Sequence, residues 1–136
     1  MAYSWGLGSI LSLREAGMAA TVFDRYGGFG FVSKVVLDFY DRVGDSEILA
    51  PYFASSDMKV LIDHQTKFIA SLMGGPASYT DEVLRRVHLN LSISDEAFDE
   101  MATILEETLE DFEFDPADVH NVIHEIKKRR HVIVTN

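Results

Sequence analysis

Four side chains able to hydrogen-bond or to ligate a metal fall where the surrounding pattern calls for apolar residues. His88 follows Leu84 by four positions and precedes Leu91 by three, which on a helix sets its imidazole on the apolar side. Gln65 stands four after Leu61 and three before Phe68, while His64 stands three after Leu61 and four before Phe68, so the two flank one stripe. Tyr40 follows Val36 by four. A polar group removed from water without a partner costs about 1–3 kcal/mol. Two arrangements avoid that cost. Each side chain can find its own neighbour, such as a carbonyl or a backbone amide; or the four can line one pocket whose ligand supplies what is missing. An imidazole among aromatic and aliphatic walls has a further capacity, because its unprotonated nitrogen can bind a metal.

The segments that carry these residues read as helices, since apolar residues recur at intervals of three and four rather than two. Phe31, Val35, Phe39 and Val43 form one row with Val32, Val36 and Tyr40 beside it. They predict a helix that starts after Gly27-Gly28-Phe29-Gly30 and ends near Gly44. A second is expected from about Asp57, marked by Met58, Leu61, Ile62, Phe68, Ile69 and Leu72. It stops at Gly74-Gly75-Pro76, where glycine permits a left-handed cap and proline forbids continuation. A short third helix carries Val83, Leu84, Val87 and His88. A fourth starts near Ser94 and buries Phe98, Met101, Ala102, Leu105, Leu109 and Phe112. The last opens at Asp115-Pro116, an N-cap followed by proline at the first helical position, and buries Val119, Val122, Ile123 and Ile126. The chain therefore reads as all-α, with one domain over residues 21–136 behind an N-terminal extension, residues 1–20. That extension reads as an extra helix with Trp5, Leu7, Ile10, Leu11 and Met18. It is either a partly ordered segment or a helix that docks on the domain, a membrane surface or a partner.

Composition narrows the chemistry. A formal net charge of −10 excludes a nucleic-acid binder, because neutralising phosphates needs a basic surface. The absence of cysteine removes disulfides and thiolate metal sites. The opening residues lack a basic start, so no signal peptide is expected. No run approaches the roughly 18 apolar residues of a spanning helix, and a cytoplasmic location is expected. The basic run Lys127 to Arg130 reads as a solvated last turn complementing the carbonyl end of its helix, in preference to a phosphate or membrane patch. His120 and His124 have the i, i+4 spacing of a metal-binding pair, with His131 near the same side. At roughly 100° per residue, that stripe lies well away from the apolar centre, so it reads as a solvated flank. Paired Glu-x-x-His motifs on buried faces, a glycine-rich phosphate loop with its lysine, and HExxH are all missing. An isolated imidazole in apolar surroundings suits a planar, mostly apolar cofactor with one open metal valence, which is haem.

The order and spacing of these residues resemble the truncated haemoglobins, the two-over-two helical globins, and most closely their first group. The resemblance runs from about Phe23 to Ile126. It is carried by Tyr26-Gly27-Gly28, Phe39-Tyr40-Asp41-Arg42-Val43, Pro51-Tyr52-Phe53, Asp57-Met58, His64-Gln65 with Phe68, Gly74-Gly75-Pro76 with Tyr79, and His88 followed by Ile93. It implies haem b, with His88 as proximal iron ligand, Phe53 wedged against the haem, and Tyr40 and Gln65 as the distal hydrogen-bonding pair. Leu61 takes the place where classical globins put their distal histidine, and Phe68, Leu84, Ile93, Phe98 and Met101 complete the cofactor's surroundings. The glycine motifs resemble the hinges that let shortened helices wrap the haem. Met101 stands where relatives outside the first group usually carry tryptophan. Ile69 replaces a second aromatic after Phe68, and Asp81 stands where glycine is frequent.

The resemblance implies a protein that binds O2 and other diatomic ligands, NO and CO, at iron. It extends to nitric oxide dioxygenase activity supported by an external reductase. Some cyanobacterial relatives ligate iron with a histidine at the position of His64, which implies the alternative of a six-coordinate protein for electron transfer, nitrite chemistry or sensing. Some link a C-terminal histidine to the haem, but His131 is offset from that place. A third class, a non-haem helical interaction module, keeps the inward polar residues as satisfied core.

Overall fold

The structure, a computed structural model, describes residues 21–76 and 79–136, so the expected N-terminal helix lies outside the described residues. Thr21 accepts a hydrogen bond from the Asp24 amide and caps α1 (Val22–Arg25). There follow α2 (Gly28–Gly44), a 3-10 turn (Ala50–Phe53), α3 (Met58–Leu72), α4 (Asp81–His88), α5 (Asp95–Asp111), α6 (Pro116–Lys127) and α7 (Arg130–Ile133). Among the described residues there is no strand.

Local chemistry explains the boundaries. The free amides at three helix starts meet side-chain oxygens: Asp57 accepts from Lys59 and Val60, Thr80 from Val83, and Ser94 from Ala97. Between α3 and α4 the chain reverses at Gly74, whose φ is 85°, a left-handed value that costs glycine little. At Gly75 a Cβ would stand 2.8 Å from the Ala70 carbonyl oxygen. That oxygen accepts the Gly75 amide at 2.8 Å, so the close approach is the hydrogen bond that ends α3. The helix expected after Gly30 starts earlier, at Gly28, because the left-handed turn is confined to Gly27 and Gly28 and winds Phe29 and Gly30 into the first turn. Phe112, expected within the fourth helix, is its half-buried C-cap. Two four-residue helices, α1 and α7, and the 3-10 turn went unforeseen; runs that short leave no periodicity to detect.

The framework is two packed pairs, α2 with α3 and α5 with α6, joined where α2 meets α5. The seam is built from Val32, Val35, Val36 and Val43 of α2, Phe98, Leu105 and Leu109 of α5, and Val122 and Ile126 of α6, all essentially inaccessible to water. This is the two-over-two arrangement of a truncated globin. Short α4 lies outside both pairs, against α7.

One polar cluster fastens α1 and the turn after it to α6. Tyr26 stacks on Phe114 at 4.0 Å between ring centroids, donates to Asp118 Oδ2 at 2.8 Å and accepts from the Asp115 amide at 2.8 Å. Arg25 donates to Asp118 Oδ1 at 2.6 Å. Asp118 is buried, and the Arg25 hydrogen bond holds its carboxyl below the usual aspartate range, aided by Tyr26 and opposed by burial. A folded-state value below the unfolded one stabilises the fold at pH above the ordinary 3.8, and that contribution disappears as pH falls through the folded value. Asp118→Asn should therefore lower stability by about 1–3 kcal/mol at pH 7 and flatten the fall in stability between pH 5 and pH 2. Urea midpoints for both proteins across that range check it, and parallel curves would show that Asp118 carries none of the acid sensitivity.

Candidate functional site

The helices enclose a cavity of about 370 Å3 between α2, α3, α4 and α5, within the range of small-molecule and cofactor sites. The residues that the resemblance places around the cofactor all lie in its wall. Tyr40 enters from α2, Phe53 from the 3-10 turn, Leu61, His64, Gln65 and Phe68 from α3, Leu84 and His88 from α4, Ile93 from the following turn, and Phe98 and Met101 from α5. The wall is otherwise apolar, with Val36, Phe39, Ile69 and Leu105 at its inner side.

The four polar side chains are not equally enclosed. Only Tyr40 is buried; Gln65 and His88 are half-buried and His64 is exposed. The expectation that all four point inward is thus corrected for His64: the four share one cavity, but its wall includes exposed residues. The reason lies in α4, which buries only Leu84. Val87 and Leu91, expected on an apolar face, line the cavity and yet are 57% and 46% exposed.

Tyr40 packs edge-on against Phe53 at 5.5 Å and Phe39 at 5.0 Å. Its hydroxyl makes no hydrogen bond to any described residue, and burial pushes the phenol well above its ordinary range. It therefore stays protonated, a donor without an acceptor among the described residues. His88 is oriented differently. Its Nδ1 lies 2.6 Å from the Leu84 carbonyl oxygen, and since a carbonyl only accepts, Nδ1 carries the proton. In the neutral ring Nε2 then keeps its lone pair, the form of an imidazole that ligates metals. A carbonyl one turn back on the same helix thus fixes the tautomer.

Other cavity residues escaped the sequence reading. Tyr79, read only as part of the Gly74-Gly75-Pro76 motif, lines the cavity and meets Phe68 edge-on at 5.6 Å. Leu49, Ile126 and Ile133 also line it. Ile133 belongs to α7, whose brevity hid it, and Leu49 precedes the 3-10 turn outside any periodic run. Tyr52, part of the Pro51-Tyr52-Phe53 motif, lines the cavity and donates to the Ser92 carbonyl at 3.4 Å.

The remaining histidines and the basic run stand apart from the cavity wall. His120 and His124 are exposed, with near-parallel rings 6.3 Å apart, and no group of three metal-ligating side chains forms among the described residues. His131 is exposed, 3.6 Å from Asp81. The basic run is largely paired internally. Arg129 donates to the Glu125 carbonyl and carboxylate, Lys128 reaches Glu125, and Arg130 reaches Asp95 and Asp99 while lying over the Phe98 ring at 4.5 Å. No helix among the described residues is long and apolar enough to cross a membrane.

Comparison with known proteins agrees with this geometry. Residues 21–135 match the bacterial-like globin family. A group 1 truncated hemoglobin, GlbN, of Nostoc commune is 30% identical over 90 residues, covering 66% of this chain and 76% of the relative. The GlbN of Mycolicibacterium paratuberculosis is 36% identical over 75 residues, 55% of each chain. Among solved structures, the 2/2 hemoglobin of Synechococcus sp. PCC 7002, in the cyanomet state with covalently attached heme, superposes with a TM-score of 0.78 at 24% identity, over 86% of this chain and all (100%) of that one. The truncated hemoglobin of Tetrahymena pyriformis in its Fe(III) form gives 0.77 at 24% identity over the same shares, 86% and 100%. The chain belongs to the bacterial-like globins, as a truncated haemoglobin of the first group.

Proposed function

We propose that the cavity holds haem b with His88 as the iron ligand, and that the protein binds O2, NO and CO on the opposite, Tyr40 and Gln65 side. The observation that carries this reading is the His88 tautomer: the Leu84 carbonyl occupies Nδ1 and leaves Nε2 basic, in a cavity otherwise walled by aromatic and aliphatic side chains. These residues fit the group. The apolar wall would suit a porphyrin, the His88 imidazole would hold its iron, and the Tyr40 hydroxyl, without an acceptor among the described residues, is a donor that a bound ligand would satisfy. When bound, the haem supplies an iron atom with a coordination position for a diatomic ligand. The chain's own part is to hold that iron through His88, to exclude water with Phe39, Phe53 and Phe68, and to donate hydrogen bonds from Tyr40 and the Gln65 amide. Firm retention of O2 would suit a protein that consumes it, so we infer nitric oxide dioxygenation, for which an external reductase would supply the electrons.

A second reading rests on His64, which lines the same cavity from its rim. If it turns inward it becomes a sixth ligand, and the protein becomes an electron-transfer, nitrite-reacting or sensing haem protein. The optical spectrum separates the two. Haem-loaded protein should be high-spin when ferric, five-coordinate when reduced by dithionite, and should form a slowly releasing oxygenated species. Low-spin bands in both unliganded states would instead give His64 the sixth position, and no Soret band on haem titration would overturn the assignment of the cavity.

A further inference from the structure

The helix that presents His88 has little packing of its own. α4 is 8 residues long and buries only Leu84, so something beyond its own face must set where it ends. The chain after His88 turns through Ser92, which takes a left-handed φ of 53°, and reaches Ile93 in the cavity wall. There it meets the strap that follows α7. The Thr135 and Asn136 amides donate to the Ile93 carbonyl at 2.9 and 3.1 Å. The Ile93 amide donates to Thr135 Oγ1 at 3.2 Å, and that hydroxyl in turn donates to the His88 carbonyl at 3.5 Å. The strap is anchored by Val132 and Ile133, 1% and 6% exposed. The His88 carbonyl belongs to a last helical turn, whose oxygens have no partner within the helix; here it receives the Leu91 amide at 3.1 Å and the Thr135 hydroxyl.

We propose that Thr135 is a positioning residue for His88: its hydroxyl bridges the His88 carbonyl and the Ile93 amide, fixes the end of α4, and so sets how the imidazole stands in the cavity. This rests on His88 being the iron ligand. One side chain far along the sequence ties together the two ends of the turn that carries the ligand. The backbone bonds from Thr135 and Asn136 to Ile93 hold the strap in place without the hydroxyl, so removing the hydroxyl loosens the end of α4 and not the fold.

The test compares haem-loaded wild type with Thr135→Val, which removes the hydroxyl at nearly constant volume, and Thr135→Ser, which keeps it. Resonance Raman of the ferrous, five-coordinate protein reads the iron–histidine stretch, and transfer of haem to an excess of apoglobin reads its release. Valine should shift the stretching band and speed haem release roughly threefold to tenfold, the scale of one lost hydrogen bond, while serine should leave both at wild-type values. Circular dichroism gates the comparison, and Thr135→Ala replaces valine if that variant does not fold. An unmoved band and unchanged release in a haem-loaded variant overturn the role of Thr135 alone, even if its thermal midpoint falls. Failure of the wild type to take up haem overturns the reading of the cavity and this role with it.

Discussion

Replacing His88 with alanine should strip the protein of most of its haem and of the stability that haem confers. A ligand that binds only the folded state stabilises it by mass action, by about 4 kcal/mol when its free concentration exceeds the dissociation constant a thousandfold. His88→Ala removes the one cavity imidazole whose tautomer is already fixed for coordination, so a haem-loaded sample should lose that increment. Without haem the same substitution should cost little, because the ring is half-buried and α4 is held mainly by Leu84 and by α7. Thermal midpoints with and without haem, for wild type and variant, give four values whose double difference isolates the coordination. Haem retained on gel filtration gives an independent reading. Equal haem-dependent shifts in wild type and variant would mean that His88 does not ligate the iron, and His64, on the same cavity, would be the next histidine to replace.

Much of this site was legible because helical spacing turns sequence offsets into faces. Tyr40, Gln65 and His88 stood out as polar residues at apolar positions, and α2, α3 and α5 were long enough for their periodicity to be read. Degree of enclosure was not legible. His64 and Gln65 are neighbours on one helix with similar offsets from Leu61 and Phe68, yet one is exposed and the other half-buried. What distinguishes them is the tertiary packing around α3, which offsets along a single helix do not encode. The strap was invisible for a different reason. Its hydrogen bonds run from Thr135 to Ile93 and His88 across more than forty positions, and no local pattern predicts a contact between the residues after a four-residue helix and a distant turn. The Asp118 cluster has the same character: an aspartate two residues after Pro116 carries no local signal of burial, which depends on Arg25 and Tyr26 more than ninety positions away.

Tyr40→Phe should speed O2 release by roughly ten- to a hundredfold and leave CO release almost unchanged. Bound O2 gathers negative charge and accepts hydrogen bonds strongly, whereas CO stays nearly neutral; a bond to a charged acceptor is worth about 1.5–3 kcal/mol, and each 1.4 kcal/mol is a factor of about ten in dissociation. The substitution removes only the hydroxyl. The ring contacts with Phe39 and Phe53 remain, and no hydrogen bond to another described residue is lost, so the variant should fold and load haem like the parent. Burial raises the phenol's pKa far above neutral, so the Tyr40 contribution should not vary between pH 6 and pH 9, and a wild-type release rate climbing through that range would point to a different donor. Gln65→Leu tests the second donor, and the double variant tests whether the two act on one ligand atom. Donors sharing an acceptor couple, so the combined effect should fall short of the product of the single effects. Stopped-flow release of O2 and CO from the four proteins decides the matter. If Tyr40→Phe speeds both gases by the same factor, the residue acts by filling space, and the case for a ligand-holding pair fails even with haem firmly bound.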